Sequence, residues 1–275
     1  MSLTLQGMFD KIFTKDKFDS ELKNMLRQHN LSLKEKKSDS VYVFTDGTAS
    51  CTADISKAKR DYIKKNSSEK TEQLILHIKS EIAMERRMVS FTNAQDFLRF
   101  IAVRKDQVDK HMIVSDFAGD ICKVMVCTSD DITLHYLNES FLKKWAVPKE
   151  VLFSAADRNM CRLFAKAAMN PTQICEGVNA VEPEIACRRL NASMMMCNDF
   201  RRSVSKHLGN NFFVIAPSDD TLIAFESLNE KIIKSVGNAV MSKYKSASHP
   251  LTSDLLMFTK DDVKIAGSFS EKKKD

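Results

Sequence analysis

Carboxylates give this 275-residue chain its clearest chemical possibility. Asp116, Asp219 and Asp220, brought together by folding, could hold a divalent ion that activates water for hydrolysis. His111 or Asp120 could complete the shell. Local geometry argues the other way. Neighbours on a strand point to opposite faces, so Asp219 and Asp220 do not readily meet one substrate. Two apolar runs, "NNFFVIA" and "TLIAF", flank Pro217-Ser218-Asp219-Asp220. Asp bonds its own backbone in tight reversals, and Pro217 has the preset φ of a first bend, so the segment reads mainly as a turn between two strands. Such a carboxylate turn can also face a partner, because loops on a rigid scaffold often carry binding.

Other chemistry is thinly represented. The sequence has no G-x-x-x-x-G-K-[ST] or G-x-G-x-x-G phosphate cradle, no G-x-S-x-G nucleophile elbow and no H-E-x-x-H pair. Cys51, Cys122, Cys127, Cys161, Cys175, Cys187 and Cys197 are odd in number and lack C-x-x-C spacing, which indicates reduced thiols in a cytoplasmic protein and no zinc site. No cofactor is expected. His77 falls in a helical stretch, and His111 and His135 in or near strands, where each reads as structural. Met194-Met195-Met196 can be a soft partner-binding patch or helix core. Arg188-Arg189 and Arg201-Arg202 can together hold an acidic partner, or lie on solvated faces.

The elements that must position these residues are short. Residues 3–29 are helical by the rhythm of Leu3, Met8, Ile12, Phe13, Phe18, Leu22, Met25 and Leu26. Short strands follow, with a hairpin at Asp46-Gly47, then two helices, the second carrying Leu74, Ile75, Ile78 and Ile82 on one face. Residues 93–102 read as a helix. "MIVSDFAGDICKVMVCTSDDITLHYL" reads as three strands with turns at Phe117–Asp120 and Ser129–Asp131. Helices are expected at about 138–146 and 149–169, with Pro171 ending the second. The stretch 170–186 reads as irregular and "NASMMMCNDFRRSVSKHL" as helical. Strands at 211–216 and 221–226, a helix at 228–244 opened by a Ser227-x-x-Glu230 capping box, and a final hairpin around Asp261-Asp262 complete the chain. "TSDDITLHYLNESFLKK" and "PSDDTLIAFESLNEKIIK" echo each other as Ser-Asp-Asp, strand, Leu-Asn-Glu, helix, which suggests repeated β-β-α units.

Apolar residues make up 43% and charged residues 28%, ordinary values for a soluble globular protein. The net charge of +6 is spread as +4 over residues 1–90, −1 over 91–200 and +3 over 201–275, with acids interleaved. Nucleic-acid binding needs a concentrated basic stripe, so this spread leaves it as a weak alternative. The start lacks a secretory signal, and no run approaches the ~18 apolar residues of a membrane-spanning helix.

The combination of "MIVSDFAGD", a strand and helix, and a late "FFVIAPSDDTLIAF" hairpin followed by a long helix and a last hairpin resembles the YtpQ-like family of uncharacterised bacterial proteins. The resemblance covers about residues 90–266. In that family Pro and a variable residue precede a basic or amide residue and then Asp; here Asp219 departs from the pattern. The resemblance implies architecture and a bacterial, cytosolic setting, and no mechanism.

The sequence therefore predicts an α+β fold of short antiparallel hairpins packed on amphipathic helices, in three parts: 1–90, 91–170 and 171–275. It predicts a non-enzymatic binding or adaptor module for an unidentified protein partner, with Asp116, Asp219, Asp220, Arg188 and Arg189 as contact candidates. The metal-assisted hydrolase built on Asp116, Asp219 and Asp220 is the alternative.

Overall fold

A computed structural model describes residues 5–65, 68–128, 134–173, 178–226 and 230–269. The fold is mixed α+β, and all of its strand pairing is antiparallel. No described helix is long and apolar enough to cross a membrane. The chain divides into two compact units, Met1–Asn93 and Ala94–Asp275, where the sequence suggested three parts. The expected boundary after 170 falls inside a strand, Ala168–Gln173.

The first unit contains α1 (Leu5–Gln28), a meander of β1 (Ser32–Lys36), β2 (Val41–Thr45) and β3 (Ser50–Asp54), then α2 (Ser56–Lys65) and α3 (Glu69–Arg87). Phe18, Leu22 and Leu26 recur every four residues on α1 and are buried, as are Ile75, Ile78 and Ile82 on α3. They enclose Phe44 and Tyr62, and the Phe18 and Tyr62 rings meet edge-on with centroids 5.4 Å apart. Asn30 ends α1 in the left-handed region at φ 55°, where its short polar side chain is tolerated. The Leu31 N–H then reaches the Leu26 carbonyl at 2.8 Å and the Asn30 N–H reaches that of Arg27 at 3.1 Å, which satisfies two of the last carbonyls of the helix. The β2–β3 reversal is held by Asp46, whose Oδ1 accepts bonds from the Thr48 and Ala49 N–H groups and the Thr48 hydroxyl. Its Oδ2 pairs with Arg86 of α3.

In the second unit, after α4 (Phe91–Ala94) at the boundary, come β4 (Leu98–Arg104), β5 (Val114–Ala118), β6 (Ile121–Thr128) and β7 (Leu134–Tyr136). The expected helix over 93–102 holds only for residues 93–97; from Leu98 a strand takes its place. Leu98, Phe100, Ile101 and Ala102 are all buried, so the run has no one-sided period to read, and seven registered pairs with β6 decide its form. β6 is central, flanked by β4 on one side and by β5 and β7 on the other. Gly119 makes the β5–β6 turn at φ 54°, and a Cβ there would lie 2.4 Å from Ile265 Cδ1.

Next come α5 (Ser140–Trp145), α6 (Lys149–Phe164), β8 (Ala168–Gln173), β9 (Asn179–Glu184), α7 (Asn198–Leu208), β10 (Phe212–Ser218), β11 (Thr221–Phe225), α8 (Glu230–Ser246), β12 (Asp254–Phe258) and β13 (Val263–Ser268). The second sheet runs β13-β12-β10-β11-β9-β8. Three expectations are corrected here. α6 ends at Phe164, and the stretch read as irregular supplies β8 and β9, paired from Ala168↔Glu184 to Gln173↔Asn179. Pro171 does not end the helix; it sits in an edge strand, where a missing N–H is tolerated. The buried face of α6 is Leu152, Ala155, Ala156, Asn159, Met160 and Phe164, with Cys161 half-buried and Ala165 and Ala168 exposed. Asn159 Nδ2 donates to the Gln95 and Leu98 carbonyls at 2.7 and 3.0 Å, tying α6 to the start of β4. Phe200 of α7 packs against Phe164, Phe212 and Phe258, and the last two stack at 5.1 Å.

The stretch from Asn191 is helical in two pieces, a 3-10 segment Ala192–Met196 and α7. Met194, Met195 and Met196 are all core, at 0–3% exposure, so they form no surface patch. The echoed segments share an order: β6, β7, α5 and β10, β11, α8. The second helix is much longer, 17 residues against 6. The Ser129–Asp131 turn, the Leu228-Asn229 part of the echo, Ser227 of the expected capping box and Cys175 lie outside the described residues.

Candidate functional site

The turn between β10 and β11 puts Asp219 and Asp220 at its two central positions, with Ser218 facing Thr221. Pro217 lies within β10 rather than at the bend, beside an irregularity in the register between Ile215 and Ser218. The turn is tied down from several directions. The Asp219 N–H donates to the His249 carbonyl at 3.2 Å, and the Asp219 carbonyl accepts from the Ala192 N–H at 3.0 Å. Asn191 Nδ2 donates to the Asp220 carbonyl at 3.1 Å.

The two side chains serve opposite neighbourhoods. Asp219 is largely buried, and burial raises its pKa from the usual carboxylate value even with the Arg189 guanidinium 3.3 Å away. Burial also works against the Asp220 carboxylate, but bonds from Ser218 at 2.6 Å, Lys243 at 3.1 Å and Thr221 at 3.0 Å outweigh it and hold its pKa below the usual value. Beside this turn is a cleft of about 50 Å³, lined by Asp219, Arg189, His249, Gln107 and Tyr136 among others. Since one water occupies about 10–15 Å³ by this measure, it has room for a few waters and little more.

The other predicted contact residues are distributed. Asp116 is an exposed residue of β5, paired with Lys105 at 3.0 Å. It lies in the four-stranded sheet, whereas Asp219 and Asp220 join strands of the six-stranded one. Among the described residues no three His, Cys, Asp or Glu side chains form a group that could hold a metal ion. Arg188 is exposed and pairs with Glu184 at 3.0 Å, so only Arg189 joins the turn. Arg201 donates to the Lys260 carbonyl at 2.9 Å and lies over the Phe258 ring, while Arg202 faces solvent.

Arg202 belongs to a larger feature that the sequence reading missed. Between the end of α6 and the outer side of α7 lies a hollow of about 400 Å³, with Phe164, Ala165, Ala167 and Met169 on one side and Arg202, Ser203, Lys206 and His207 on the other. His207 also lines a second hollow of about 360 Å³, over Pro171 and Thr172 of β8, Ala180 and Val181 of β9, and Leu208. Each volume falls in the ~300–1,000 Å³ range of ligand sites. The signal for it was the i, i+4 pair Arg202 and Lys206 on a helix whose opposite face, Phe200, Val204 and Leu208, is core.

One turn of α6 before Cys161, Asp157 Oδ1 accepts a bond from the Asn198 N–H at 3.4 Å and Oδ2 one from Asn198 Nδ2. Burial raises the pKa of the Cys161 thiol on the hollow's wall, against a bond from the Asp199 backbone and with the Asp157 charge adding to the rise, so the thiol stays protonated at neutral pH. Lys123 of β6 enters the same neighbourhood. Its ammonium donates to the Met196 carbonyl at 2.8 Å, lies 4.7 Å from the centre of the Phe100 ring, and is pushed toward its neutral form by burial. No family model, curated protein or solved structure matches the chain.

Proposed function

We propose that this protein is a non-enzymatic binding module whose docking site is the double hollow along α7. One observation carries the reading: two hollows of about 400 and about 360 Å³ lie side by side with His207 lining both, with apolar surface at Ala165, Ala167, Met169, Ala180 and Val181, on elements fixed by the Phe164, Phe200, Phe212 and Phe258 cluster. A rigid scaffold with apolar contact area and a polar rim is the usual anatomy of a recognition surface. The protonated Cys161 thiol fits this reading better than nucleophilic chemistry, because the thiolate is the reactive form. In the corner at β10–β11, the Asp219 and Asp220 carboxylates are engaged by Arg189, Ser218, Thr221 and Lys243, so the turn supports the scaffold. The expected surface at Asp116, Asp219, Asp220, Arg188 and Arg189 gives way in this reading to α7.

The test is affinity capture from cell lysate by the wild-type chain and by an Ala165→Trp variant of equal melting temperature. Ala165 is exposed on the wall, so Trp fills the hollow without disturbing the core. A specific partner retained by wild type and lost by the variant supports the site. A partner held equally by both places docking elsewhere.

A further inference from the structure

The double hollow is bordered by cations from two helices. On α7, the cations Arg202 and Lys206 form its wall. On α6 and just beyond it, Arg158, Arg162 and Lys166 follow i, i+4, i+8 spacing, all exposed, on the strip beside the wall residues Cys161 and Ala165. The carboxylates nearby are already engaged. Asp199 pairs with Arg202 at 3.3 Å, Asp96 is 4.0 Å from Arg162, and Asp157 accepts its bonds from Asn198. Lys166 and Lys206 have no carboxylate partner among the described residues. Excess positive charge therefore stands beside a hollow of mixed surface, polar along α7 and apolar at Ala165, Ala167 and Met169.

We infer that the hollow takes an acidic peptide segment, with Asp or Glu side chains meeting Lys166, Arg202 and Lys206 and apolar side chains resting on Ala165, Ala167 and Met169. The inference rests on the docking reading above and adds the chemistry of its occupant. A nucleic acid fits the same cations less well. The hollow carries Asp199 on its own wall, and its Phe164 ring is 5% exposed and packed against Phe200, so it offers bases little face to stack on. Complementary charge of this kind steers encounter and selects partners, and exposed pairs weaken as salt screens them.

The test uses three fluorescein-labelled peptides of one length, with Leu and Phe in fixed positions and the remaining residues all Glu, all Gln or all Lys, and a single-stranded RNA. Binding is followed by polarisation to wild type, to Arg202→Glu/Lys206→Glu and to Ala165→Trp, each checked for an unchanged melting temperature. The expected result is binding of the Glu peptide, weakened about tenfold or more by the double reversal, weakened also by added salt, and abolished by Ala165→Trp. Equal binding of the Glu and Gln peptides overturns the acidic inference while leaving the docking reading in place. Preference for the RNA, or no binding of the Glu peptide at any accessible concentration, overturns it too. Binding of every peptide untouched by Ala165→Trp overturns both.

Discussion

Arg189 Nε stands 3.3 Å from Asp219 Oδ2, while the next carboxylate in the chain, Asp220, reaches Lys243 Nζ at 3.1 Å. The two residues occupy one turn and titrate in opposite directions from 3.8. A raised acid favours its protonated form in the folded state, so Asp219 costs stability as pH rises from 3.8 through its folded value. The depressed Asp220 contributes stability above 3.8 that is lost as pH falls through its folded value. Carboxyl-carbon NMR titration should place the Asp219 midpoint above 3.8 and the Asp220 midpoint below it. Reversed order would show that the turn is differently packed.

Asp46 should make the first unit acid-sensitive. Burial opposes its charge, but the Ala49 and Thr48 bonds and Arg86 win, and its pKa lies well below the usual value. Its contribution is present above 3.8 and fades as pH falls below that value. Asp46→Ala is expected to cost about 2–3 kcal/mol at pH 7, since several bonds to one carboxylate are lost together. Urea unfolding at pH 7 and pH 3 checks both statements: the gap between wild type and variant should shrink in acid.

Gly119 is held at φ 54° with Ile265 Cδ1 where a Cβ would go. Gly119→Ala should destabilise by about 1–3 kcal/mol through backbone strain and crowding together. Adding Ile265→Ala should recover only part of the loss, because the dihedral remains. Full recovery in a thermal melt would show that the backbone term is negligible.

Asn159 is a buried polar residue with a single task, bonding the carbonyls of Gln95 and Leu98. Asn159→Ala takes a donor from both carbonyls, leaving Leu98 with the Arg99 guanidinium at 2.8 Å, and is expected to cost about 1–3 kcal/mol. Asn159→Leu keeps the volume and should be no better. Amide exchange at the start of β4 should rise in either variant, since that end loses its attachment to α6.

What was legible in the sequence followed from local chemistry. Asp46-Gly47, Phe117–Asp120 and Asp219-Asp220 all mark observed reversals, because turn residues act within a few positions. One-sided helices such as α3 and α7 were legible from their apolar spacing. β4, β8 and β9 were not. β4 is buried on both faces and has no period, and β8 and β9 contain Pro171 and Pro183, which argue locally against a strand. Only pairing with distant partners decides these three. The double hollow was hidden for the same reason: its walls come from α6, α7, β8 and β9, and Arg202 and Lys206 look like an ordinary solvated helix face until those elements meet.

β8 closes one side of the six-stranded sheet with Pro171 near its middle. An outermost strand normally offers a row of free amide hydrogens onto which a neighbouring molecule can zip a further strand. Here one rung of that ladder has no hydrogen to give, so a seventh strand would be interrupted partway along. The proline thus makes this side of the sheet a poor template for intermolecular growth, and helps to keep crowded copies of the chain from fusing sheet to sheet.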